Sequence, residues 1–190
     1  MPSPEAPPLA AEERSALLDI AWRAVRAGLD VPWIEVDLAA LPPRLGEPGA
    51  SFVSLHREGR LRGCMGRLEA TRPLAEDVAG NARAAAYFDP RFPALAAEEF
   101  AGLELEISVL TPAVPLEITS EAQLLAALRP GVDGLILAER QRRATFLPTV
   151  WRELPDPRDF LGHLKRKAGL PADYWSESLR FERYSTESIA

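Results

Sequence analysis

Only one cysteine, Cys64, and two histidines, His56 and His163, occur in the 190 residues. A single thiol forms no internal disulfide, so a reducing compartment is the expected home. One Cys and two His without partners at ligand spacing build no Cys-rich zinc site, and no metal is expected. No run approaches the roughly 18 consecutive apolar residues of a membrane span. The opening Met1-Pro2-Ser3-Pro4-Glu5-Ala6-Pro7-Pro8 lacks the basic start and apolar centre of a signal peptide. It reads as a disordered, proline-rich lead-in over residues 1–8, which leaves the cytoplasm as the expected location.

Positive charge is also in short supply: 22 Lys and Arg stand against 28 Asp and Glu, for a formal net charge of -6. A broad nucleic-acid footprint is therefore disfavoured, because phosphate binding runs on cationic side chains. The basic clusters are Arg140 with Arg142 and Arg143, and Lys165-Arg166-Lys167. They read as a solvated hairpin tip and the last turn of a helix, where cations suit the helix dipole. Neither G-x-G-x-x-G nor G-x-x-x-x-G-K occurs, so the two common nucleotide-binding signatures are missing and no cofactor is expected.

What is present is an ordinary globular composition, 47% hydrophobic and 26% charged, in a chain long enough to bury its own core. Leu17, Ala21 and Val25 recur at helical spacing and predict a helix over residues 10–27, stopped by Gly28. A short strand is predicted at Trp33 to Val36. Ser51 to Arg57 alternates, Glu58-Gly59 offers a turn, and Arg60 to Leu68 forms the return strand of a hairpin. A helix follows over residues 73–87, then a strand at 103–109, in which Leu103, Leu105, Ile107 and Val109 share one face.

Ser120 with Gln123 reads as a capping box. Leu135 to Ala138 and Arg143 to Leu147 make a second hairpin, Asp156-Pro157 opens a helix that Gly169 stops, and a last strand lies near 180–186. Hairpins dominate, so the fold class is α+β with a mainly antiparallel sheet packed with helices.

Chemistry concentrates at Leu61-Arg62-Gly63-Cys64-Met65-Gly66. Glycines inside a strand mark a bulge or a close approach of backbone or ligand, and Arg62, on the face of Cys64 if the strand is regular, suits a thiolate. The alternative is a small buried hydrophobe. A regular two-residue hairpin puts Cys64 opposite Val53 and sends His56 to the other face; only a bulge unites the two. Glu106 stands on the polar face of its strand. Asp89-Pro90-Arg91-Phe92-Pro93 is a braced loop with an anion-binding fork, or an internal Asp89–Arg91 ion pair.

These segments, with Asn81 and Ala84-Ala85-Ala86, Leu105-Glu106-Ile107-Ser108-Val109-Leu110, Gly131-Val132-Asp133-Gly134-Leu135-Ile136-Leu137, Phe146-Leu147-Pro148 and Lys167-Ala168-Gly169-Leu170-Pro171, in that order, resemble the AMMECR domain family over residues 9–190. The family's hallmark usually reads Leu-Arg-Gly-Cys-Ile-Gly; Met65 replaces the Ile. Thr149 stands where the family often has Gln.

The resemblance implies a two-part α+β fold, a larger and a smaller subdomain. It also implies the role of the A component of the AmmeMemoRadiSam system, beside a Memo-like protein and a radical SAM protein. With no cysteine triplet for an iron-sulfur cluster, radical chemistry falls to the partner. Two readings stay open: an accessory protein binding a ligand or partner at a groove along Leu61–Gly66, or a thiol enzyme or redox component using Cys64 and Arg62. The candidate binding residues are Arg62, Gly63, Cys64, Gly66, Asn81, Asp89, Arg91, Phe92 and Glu106.

Overall fold

The computed structural model describes residues 7–28 and 34–190. Most of the expected lead-in lies outside the described residues, as does Trp33, and residues 34–36 form no strand. The helices are α1 (Ala11–Arg26), α2 (Leu74–Tyr87), α3 (Glu121–Ala127) and α4 (Pro157–Lys167). The strands are β1 (Pro48–Gly49), β2 (Ser51–Arg57), β3 (Arg60–Gly66), β4 (Arg72–Pro73), β5 (Leu103–Leu110), β6 (Val114–Pro115), β7 (Gly134–Glu139), β8 (Arg142–Phe146), β9 (Arg180–Tyr184) and β10 (Thr186–Ile189).

The chain divides into two compact units, Ala6–Leu110 with Glu187–Ala190, and Thr111–Thr186. Each carries a four-stranded sheet, in the order β10-β5-β2-β3 in the first and β6-β9-β7-β8 in the second. The pairings of β2 with β3 and β5, and of β7 with β8 and β9, are antiparallel. The expected α+β fold with a larger and a smaller part is the one observed.

In the first unit α1 buries Leu17, Ile20, Ala21, Ala24 and Val25, the stripe that a 3.6-residue period demands. Gly28, at φ 72, ends it. Helix α2 buries a row of small side chains, Ala75, Ala79, Ala82, Ala85 and Ala86, and so lies close against the sheet face of Val53, Leu55 and Ile107, all fully buried. The Tyr87 hydroxyl donates to the carbonyl of Val25 at 2.6 Å, tying the two helix ends together. Strand β10 closes the unit: Ile189 is buried, and the Glu187 carboxylate accepts the Leu9 N–H at 3.0 Å.

The second unit packs with larger side chains. Asp156 caps α4 by accepting from the Arg158 and Asp159 amides at 2.8 and 3.2 Å. Phe160 then stacks on Trp151 at 3.8 Å between centroids and meets Phe146 edge-on at 5.3 Å. Lys165, in the basic run at the end of α4, is fully buried; its ammonium donates to Glu121 at 2.6 Å and to the Ala172 carbonyl at 3.2 Å. His163 is exposed.

The single last strand expected near 180–186 is corrected to two, β9 and β10, in different sheets. The break falls at Ser185, whose amide and carbonyl are taken by Thr111 Oγ1 and Thr111 N–H, both at 2.9 Å. Among the described residues no helix is long and apolar enough to cross a membrane.

Candidate functional site

The hairpin that carries Cys64 turns at Glu58 and Gly59, both with positive φ (52 and 70), the pattern of a two-residue loop whose twist suits the flanking strands. Arg57 faces Arg60 and His56 faces Leu61, as that loop requires, but the register then shifts and Leu55 faces Gly63. Arg62 is the extra residue of a bulge. The cause lies beneath the strand: a Cβ on residue 63 would sit 2.1 Å from the Ala85 carbonyl oxygen. Only glycine can occupy the inward position over α2, and the bulge brings Gly63 there.

The bulge reassigns the faces. The expectation that Cys64 opposes Val53 rests on a regular strand and is corrected: Cys64 opposes Ser54, and Met65 opposes Val53. Cys64 therefore joins Ser54 and His56 on the outer face, away from α2. Ser54, rather than His56, stands opposite the thiol, and its hydroxyl donates to Cys64 Sγ at 3.3 Å. On the other side Ser54 faces Glu106 of β5, and Phe52 lies between Ser108 and Gly66. A row Glu106–Ser54–Cys64 thus crosses three strands. Beside it the Phe52 ring covers Gly66, where a Cβ would meet the ring at 2.3 Å. Cys64, Ser54, Phe52 and Glu106 are all partly exposed.

Strand β3 is the last of its sheet. The Cys64 N–H donates to Asp89 Oδ2 at 2.9 Å, and Arg91 Nη2 donates to the Cys64 carbonyl at 3.2 Å. Asp89 and Arg91 are themselves joined as a fork, Nε to Oδ1 at 2.9 Å and Nη2 to Oδ2 at 2.7 Å. The Asp89–Arg91 ion pair expected within the loop is thus present, and it grips the strand. Asp89 is buried, yet the Arg91 guanidinium, with help from the Cys64 and Arg91 amides, outweighs burial and holds its carboxyl far below the usual range. The Asp89 carboxylate raises the Arg91 pKa above its ordinary value against the opposing cost of burial. Arg91 is the cation held at the Cys64 backbone.

Arg62 is committed elsewhere. Its Nε and Nη2 donate to the two carboxylate oxygens of Glu99 at 2.7 and 2.8 Å, while its Nη1 is buried with no partner among the described residues. The Arg62 bond, aided by the Ala96 amide, lowers the Glu99 carboxyl to about 2 against a smaller opposing push from burial. Phe92 lies near both guanidinium groups, 5.9 Å from Arg62 and 5.5 Å from Arg91.

Asn81 belongs to a different cluster. Its amide donates to Asp77 at 2.8 Å and to the Ser51 hydroxyl and carbonyl at 3.0 Å. Asp77, fully buried, also accepts from the Ser51 amide and hydroxyl and pairs with Arg67 and Arg72 at 3.2 and 3.1 Å. A buried carboxylate so fully satisfied fixes backbone rather than doing chemistry.

The model of the family described as AMMECR1 matches residues 18–189. This chain belongs to the AMMECR1 family. A protein of Methanothermobacter thermautotrophicus is 39% identical over 149 residues, covering 77% of this chain and 78% of that one. A Thermofilum pendens protein is 35% identical over 182 residues, covering 88% and 84%. The crystal structure of an uncharacterised protein from Pyrococcus horikoshii is similar at a TM-score of 0.86 and 32% identity, over 95% of this chain and 92% of that one.

Two residues at the heart of this AMMECR1-family chain escape the sequence reading. Ser54 looks like one polar residue of an alternating strand, and only the bulge makes it the neighbour of the thiol. Asp77 leaves a trace: with Asn81 it forms an i, i+4 polar pair inside an otherwise alanine-lined buried face.

Proposed function

We propose that this protein acts by binding, as an accessory component whose recognised surface is the outer sheet face along Leu61–Gly66, centred on the row Glu106–Ser54–Cys64. The observation that carries this reading is the row itself. A carboxylate, a hydroxyl and a thiol line up on partly exposed sheet opposite the packed core, flanked by the Phe52 ring. A rigid sheet presenting a few polar groups beside an aromatic surface suits recognition. The partners nominated by the family resemblance are a Memo-like protein and a radical SAM protein. Co-purification with each, using the tagged chain and its Phe52→Ala and Glu106→Gln variants, tests it: retention by the parent and loss in both folded variants is expected. Equal retention by parent and variants removes this face from the interaction.

A second reading, Cys64 as a nucleophile or redox thiol, is favoured by the Ser54 hydroxyl, which donates to the sulfur, and by the Arg91 guanidinium held at the backbone of the same residue. The rate of Cys64 alkylation against pH, in native and denatured protein, decides it. Native labelling faster than denatured labelling near pH 6 supports a reactive thiol, and labelling only after denaturation removes it. Full biological activity in Cys64→Ser excludes thiol chemistry, whereas lost activity with retained partner binding tells against a purely scaffolding role.

A further inference from the structure

We propose that the segment from Asp89 to Glu99 is a side-chain cover for the edge of β3, and that the Asp89–Arg91 fork keeps this edge from pairing with β3 of a second copy of the chain. An edge strand presents unpaired N–H and C=O groups, a template for another strand unless something blocks it. At Cys64, in the middle of β3, both outward groups are occupied as an incoming strand would occupy them. The carboxylate of Asp89 takes the N–H at 2.9 Å, and the guanidinium of Arg91 meets the C=O at 3.2 Å.

The covering segment cannot make these bonds as a strand, because Pro90 and Pro93 have no N–H to offer. Side chains do the work instead. A second tie runs the other way, from Arg62 on the strand to Glu99 at 2.7 and 2.8 Å. The cover is thus held by the two hydrogen bonds of the fork to the Cys64 backbone and by one ion pair from Arg62.

With the fork gone, the geometry selects one partner register. A residue whose N–H and C=O both point outward can exchange both bonds with its own copy across a two-fold axis. Two Cys64 residues then stand directly opposite, with Cα atoms about 5.5 Å apart, inside the range that a disulfide bridges. Cys64 is the one cysteine in the chain, so it reports this pairing without ambiguity.

The test compares the full-length chain with Asp89→Ala and Arg91→Gln, measuring exchange of the Cys64 amide, sedimentation, and diamide-driven cross-linking on a non-reducing gel. Loss of a hydrogen bond to a charged group predicts Cys64 amide exchange at least about tenfold faster in Asp89→Ala, with the β5 amides unchanged. Asp89→Ala is expected to give a disulfide-linked dimer at protein concentrations where the parent gives little, and Arg91→Gln, which frees only the C=O, a smaller yield. An exposed, faster-exchanging Cys64 amide with no rise in cross-linking overturns the blocking role, and unchanged exchange overturns the cover itself. If Asp89→Ala does not fold, Asp89→Ser, whose side chain is too short to keep the fork with Arg91, is read by the same exchange and cross-linking.

Discussion

The two units face the same problem at one edge of each sheet and solve it with different materials. At β8 the cover comes from the end of a helix. Lys167 of α4 donates to the Thr145 carbonyl at 3.0 Å and rests over the Phe146 ring at 5.1 Å, and Arg142 donates to the Gly169 carbonyl. At β3 the cover is a proline-braced loop and two carboxylate–arginine pairs. The cores differ in the same sense: stacked Phe160 and Trp151 in one, a row of alanines on α2 with the Ala85 carbonyl against Gly63 in the other. Where backbones approach this closely, side-chain bulk is spent on the outer face, and that is where the polar row and the partly exposed thiol are found.

The contrast is broken most strongly by Phe160→Ala, which removes the aromatic centre of the second unit. It is expected to cost about 3–5 kcal/mol in denaturant unfolding, with near-UV signal from Trp151 lost and the Cys64 amide of the first unit still protected.

Next comes a pair of glycines. Gly63→Ala drives a methyl group into the Ala85 carbonyl and should cost roughly 1–3 kcal/mol or more. Gly162→Ala, whose added Cβ would lie 3.6 Å from the Ala172 Cβ in ordinary contact, should stabilise α4 by up to about 1 kcal/mol. The same substitution thus has opposite signs in the two units, which chemical denaturation of the two variants would reveal.

The smallest effect sharpens the comparison of edges. Glu99 titrates at about 2 in the folded protein, below its ordinary 4.5, so its stabilisation is complete above about pH 4.5 and is lost as pH falls through about 2. Asp89 acts in the same direction. Glu99→Gln should lose less than about 1 kcal/mol at pH 7, since the pair is partly exposed, and should show a flatter loss of stability between pH 4.5 and 2 than the parent. Parallel acid-unfolding curves for the two proteins would assign the acid sensitivity to other groups.

Much of this was legible beforehand because local rules and tertiary packing agree. The alternation of Ser51 to Arg57, the Glu58-Gly59 turn, the Asp156 cap and the Gly169 stop each leave a signature within a few residues, and each is found in place. The face of Cys64 was not legible. One inserted residue reverses a strand's faces without altering its composition, and the reason for the insertion, the Ala85 carbonyl beneath residue 63, lies 22 positions along the chain. The pairing of Arg62 with Glu99 was not legible either, since the two lie 37 positions apart. The ordered motifs had a longer reach, because they report the family, and with it the fold, without requiring the register of any one strand.

The first unit is interrupted: its chain leaves at Leu110 and resumes at Glu187, with the second unit in between. During synthesis β5 therefore emerges long before β10, its neighbour on the far side from β2. Until residues 186–189 appear, that flank of the sheet is open, the place of Ile189 in the core is empty and the Leu9 amide lacks its Glu187 acceptor. The second unit, contiguous in sequence, has every strand it needs before then. On a ribosome the order of completion is the reverse of the order of appearance: the unit that begins first closes last.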